Sequence, residues 1–87
     1  MDLEKITIEF ENLGYASFIV SNSLTVGQED GYDSQLNCRL LKNAFGVELR
    51  KNLLVVDYAI GQIPVEKEFK TIEELLKFVR QVFPIED

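Results

Sequence analysis

The run Leu53-Leu54-Val55-Val56-Asp57-Tyr58 constrains this chain more than any other stretch. It is almost unbroken in apolar, β-branched and aromatic side chains, which suits a strand covered on both faces better than a half-wet one. A covered strand needs an amphipathic partner. The chain supplies one a few residues later, where Thr71 with Glu74 three positions on forms a capping box. After it, Ile72, Leu75, Leu76, Val79, Val82 and Phe83 recur at the helical period, with Glu73, Glu74, Lys77, Arg80 and Gln81 outside the stripe. Pro84 disfavours helical geometry at Phe83 and stops the helix there. The remaining Ile85-Glu86-Asp87 reads as a short acidic tail.

The other elements are weaker. Ile6, Ile8 and Phe10 alternate with Thr7, Glu9 and Glu11, the period of a half-buried strand. Residues 15–20 read as a second strand, and the two as an antiparallel hairpin turning at Asn12-Leu13-Gly14. Residues 21–33 carry Gly27, Gly31 and three acids and read as a long loop, with Leu24-Thr25-Val26 as a candidate extension of the second strand. Asp33-Ser34 reads as an N-cap. Leu36, Leu40 and Ala44 follow at helical spacing, with Gly46 as the stop. Leu36, Cys38 and Leu40 also alternate, so a strand competes over residues 35–45. Residues 50–52 and 59–62 read as turns. Residues 63–68 read as an edge strand, because Pro64 lacks an N–H. The expected architecture is α+β in the order β-β-α-β-β-(β)-α: a mainly antiparallel sheet of four to five strands, with two helices on one face.

At 87 residues the chain is long enough for a single domain with one modest core, stable by about 5 kcal/mol. Nine Lys and Arg against fifteen Asp and Glu leave a net charge of −6. That balance opposes direct nucleic-acid binding and docking to an anionic membrane, both of which reward basic residues. The acids are unevenly spread. Residues 1–38 hold seven acids and one base, Lys5, whereas residues 39–51 hold four bases and one acid. A single cysteine, the lack of a basic and apolar leader, and the lack of a long apolar run lead to the expectation of a reducing, cytoplasmic setting.

The chain has no histidine, which removes the commonest general base and the commonest metal ligand. Cys38 beside Arg39 and Lys42 is a weak nucleophile candidate without an imidazole, and is expected to fill core. Asp57 is the one acid inside an apolar run. It either needs a buried partner or lies at a strand end facing water. The 27–33 segment lacks the spacing of a calcium loop, and no Gly-Lys-Ser/Thr follows its glycines.

These observations lead to the expectation of a small acidic, non-enzymatic protein-binding module. It would dock through the first hairpin and the 27–33 loop, with Glu29, Asp30, Tyr32 and Asp33 at the interface and Tyr15 at the loop's other flank. One alternative is a nucleic-acid-mimicking inhibitor from a mobile element or phage, directed at a nuclease or defence system. A second is a homo-oligomeric structural protein that pairs through an edge strand or apolar patch, for which a homodimer is the simplest form. The expected partner is another protein. No cofactor, metal, nucleic acid or membrane is expected.

Overall fold

A computed structural model describes residues 2–85, without the side chains of Cys38 and Arg39. The expectations for the Cys38 thiol and for the tail residues Glu86 and Asp87 lie outside that description. The element order is α1 (Leu3–Asn12), β1 (Ala16–Val20), β2 (Ser23–Asp33), β3 (Cys38–Arg50), β4 (Leu53–Ile60), β5 (Ile63–Phe69) and α2 (Ile72–Val82). The class is α+β: five antiparallel strands in one sheet, ordered β1-β2-β3-β4-β5, with both helices on one face.

Two expectations at the level of elements are overturned. The first concerns residues 6–10, which are helical. Asp2 caps α1, its Oδ1 accepting the Lys5 N–H at 2.9 Å. Leu3, Ile6 and Phe10 share one stripe, and Ile6 and Phe10 are fully buried. Ile8, which a strand would have put beside them, is left exposed. Gly14 beyond the C-terminus takes φ +101, a left-handed stop that suits glycine. The expected hairpin of residues 6–20 therefore does not form.

The second correction concerns residues 21–50. The expected 21–33 loop is strand β2, and the expected helix over residues 34–45 lies mostly in strand β3. Phe45, Val47 and Leu49 alternate onto the helix-covered face, while Leu36, Leu40 and Ala44, the stripe of the rejected helix, are exposed. The long strands are broken by two irregularities, between Val26 and Gln28 and between Glu29 and Tyr32. Asn43 (φ 54) on β3 and Gly31 (φ 104) on β2 lie opposite or within them, as bulges with a left-handed residue require.

The strands at the end of the chain match expectation. Lys51 and Asn52 both take positive φ in a two-residue turn that joins β3 to β4. Register aligns Leu24 with Val47 and Val56, and Leu49 with Leu54 and Phe69, on the helix side. Ile6 and Phe10 of α1 and Leu75 and Val79 of α2 close over them. Thr71 Oγ1 accepts the Glu74 N–H at 3.2 Å, so Thr71 caps α2 as read. Val82 is exposed, however, and Phe78 from the flank of the stripe packs instead against Phe69, with ring centroids 5.1 Å apart. Phe45 stacks on Phe83 at 4.7 Å and meets Phe10 and Tyr15 edge-on. Tyr15 is buried and donates its hydroxyl to the Phe83 carbonyl at 2.6 Å, tying the chain after α1 to the end of α2.

The opposite face of the sheet carries no helix. Val55 is only 3% exposed there, yet lies outside the main core. Its cross-strand neighbours are Glu48 and Glu68. Arg50 on β3 reaches Glu48 at 2.9 Å and Glu66 on β5 at 3.3 Å, so its side chain crosses β4 over the Val55 position. The aliphatic stems of such residues cover apolar surface while their charges stay wet. The hydrogen bond from Arg50 holds the Glu48 carboxyl below its usual range.

Candidate functional site

The sheet has an overhang. β1 pairs only with residues 23–27 of β2, and β4 only with residues 46–50 of β3. Residues 28–42 therefore run on as a two-stranded ribbon that neither neighbouring strand supports. Its tip is built locally. Asp33 Oδ1 accepts the N–H groups of Gln35 (2.9 Å) and Leu36 (3.2 Å), and Asn37 takes positive φ. Tyr32 donates its hydroxyl to the Asn37 side-chain oxygen across the tip.

All four residues expected at an interface lie on the β2 half of this arm. Glu29, Asp30 and Tyr32 are exposed and Asp33 is half-buried. They do not form one acidic face. Glu29 pairs with Leu41, whereas Tyr32 and Asp33 pair with Arg39 and Cys38 beyond the bulge. Asp33 spends its carboxylate on its own turn. Glu29 lines a hollow of about 250 Å³ with Glu11, Gly14, Tyr15, Ala16 and Ser17. Tyr15, the other expected flank, is a core residue.

Sequence reasoning named Tyr32 but missed Leu36 and Leu40, the aliphatic part of the arm. Tyr32 is 58% exposed, Leu36 71% and Leu40 41%. Leu36 and Leu40 had looked like core because their spacing fits a helix. Ile60 and Ile63, also exposed, flank the Gly61-Gln62 turn at the same end of the sheet. Gly61 takes φ 63 at that tip, where the sequence already indicated a turn over residues 59–62.

The remaining hollows are open and chemically plain. One of about 510 Å³ is lined by Leu13, Glu73, Leu76, Lys77, Arg80 and Gln81. Another, of about 520 Å³, lies on the helix-free face over Gly46, Ala44, Ala59 and Pro64. A Cβ on Gly46 would sit 2.5 Å from Asp57 Oδ1, so a larger residue there would push the Asp57 carboxylate aside. Asp57 itself faces water. Among the described residues no polar or charged side chain is buried, and no group of three or more His, Cys, Asp or Glu is placed to hold a metal. None of the described helices is long and apolar enough to cross a membrane.

The fold and the overhang together define a small antiparallel meander, capped on one face by two helices, with a projecting β-arm. Comparison of the chain with known protein families, curated proteins and solved structures finds no match.

Proposed function

We propose that this domain is a non-enzymatic protein-binding module whose docking element is the 28–42 arm. One observation carries the reading. A two-stranded ribbon is marginal on its own in water, yet this one extends past both neighbouring strands and presents Tyr32, Leu36 and Leu40 to solvent. Exposed aromatic and aliphatic side chains of this kind serve as anchors that a partner's surface can bury. Glu29 and Asp30 beside them favour a partner with basic residues at the rim, which speeds encounter and selects orientation. A reducing cytoplasmic setting fits the single cysteine.

The test is affinity capture from the native host with the wild type and with a Tyr32→Ser, Leu36→Ser, Leu40→Ser variant. The variant is expected to keep its melting temperature and to lose the retained protein. A second variant, Glu29→Lys with Asp30→Lys, is expected to slow association. Asp33 is left in place in both because it holds the tip. Equal capture by wild type and the triple variant would remove the arm as the docking element.

A further inference from the structure

The two edges of the sheet are treated differently. β5 carries Pro64, Glu66, Lys67 and Glu68, the residue types that keep a free strand edge from pairing with another chain. β1, at the other edge, reads Ala-Ser-Phe-Ile-Val and has none of them. The charge-free stretch is wider than the strand. Between Glu11 and Glu29 no residue is charged, in a chain that is 28% charged. Ile19 and Val20 of this edge are each about half exposed.

Beyond the Ala16 end of β1 the character changes. The hollow lined by Tyr15, Ala16 and Ser17 is bordered by two acidic residues, Glu11 from α1 and Glu29 from the arm. Among the described residues neither is in an ion pair. An added strand alongside β1 therefore meets an apolar, uncharged edge at one end and two unneutralised carboxylates at the other.

We propose that the β1 edge takes an extended segment of a partner protein as a sixth strand, and that the segment carries Lys or Arg where it passes Glu11 and Glu29. Main-chain hydrogen bonds to β1 supply the pairing, and the two carboxylates supply the direction and the charge preference. Five residues of strand span roughly 13–17 Å, so a segment of about eight residues reaches from Val20 to the carboxylates. A second copy of this chain is the poorer occupant. It has no cation in its own β1–β2 hairpin to offer, and a five-residue edge falls short of the ~800 Å² per partner of stable dimers. This surface stands apart from the arm's apolar tip and shares only Glu29 with it.

The experiment titrates isotope-labelled full chain with acetyl-Lys-Arg-Thr-Val-Thr-Val-Thr-Val-amide, with the reversed sequence, and with versions in which Glu-Glu replaces Lys-Arg. The better basic peptide is expected to shift the backbone amides of residues 16–20. It should bind about tenfold tighter than its acidic version, as two exposed ion pairs gained or turned repulsive imply. That preference should collapse in half-molar salt. Glu11→Gln with Glu29→Gln, both exposed, should abolish the preference without changing the melting temperature. Ile19→Lys should weaken both peptides. No shift in residues 16–20 with any peptide, equal binding of basic and acidic peptides, or light scattering that shows a dimer which Ile19→Lys dissociates would each overturn the proposal. Tyr32→Ser, Leu36→Ser, Leu40→Ser is expected to leave peptide binding intact, which separates this edge from the arm.

Discussion

Val47→Ala tests the strand register on which the fold and the arm both depend. Val47 is fully buried, between Leu24 on β2 and Val56 on β4. The change deletes two methyl groups, worth about 0.8 kcal/mol each in transfer free energy, and leaves a void that the close-packed neighbours only partly fill. The expected loss is about 2–3 kcal/mol. Against a total of about 5 kcal/mol for a chain of this size, that is roughly half the stability. It should lower Tm by about 10–20 °C. The partner measurement is Leu36→Ala. Leu36 is exposed at the arm's tip, so its loss should lie within about 0.5 kcal/mol. A helix over residues 34–45 would reverse the order, since Leu36 would then be in its buried stripe and Val47 outside it. Urea unfolding followed by far-ultraviolet circular dichroism measures both variants. A larger loss for Leu36→Ala than for Val47→Ala would refute the register and with it the arm.

Burial pushes the Tyr15 phenol above its ordinary value of 10.0, with the nearby Arg80 charge opposing. The folded state thus favours the protonated form, so Tyr15's contribution is intact below pH 10 and is lost as pH rises past it. Tyr15→Phe should flatten the alkaline decline in unfolding free energy. At neutral pH it should cost about 0.5–1.5 kcal/mol through the lost hydrogen bond to Phe83; an unchanged alkaline slope would sink that account. Thr71→Ala should cost about 1 kcal/mol by uncapping α2, seen as a lower Tm, and Thr71→Ser should restore it.

What could be read from residues alone is what local physics settles without outside help. α2 is defined by its capping box, its unbroken helical stripe and the proline after Phe83, and no strand pattern competes. β4 is apolar enough to be read as a strand, although on the helix-free face only Val55 is buried while Asp57 and Ala59 are exposed, and the turn at Lys51-Asn52 and the edge position of β5 follow from residue types. The α+β class and the totals of strands and helices agree with the reading, but α1, β2 and much of β3 come from segments read as strand, loop and helix. The identity of the first helix is not settled locally. Leu3, Ile6 and Phe10 fit a helix and Ile6, Ile8 and Phe10 fit a strand. The choice falls to the surface on offer, a sheet face that α2 alone leaves half uncovered. Residues 34–45 were likewise ambiguous, and β3 won because Phe45 pairs with Val26 on β2, and the same strand carries Val47 between Leu24 on β2 and Val56 on β4, contacts that a helix over 34–45 would forfeit. The arm was invisible for a related reason. Whether Tyr32, Leu36 and Leu40 are buried depends on where the neighbouring strands stop, and strand length relative to a neighbour is a property of the assembled sheet.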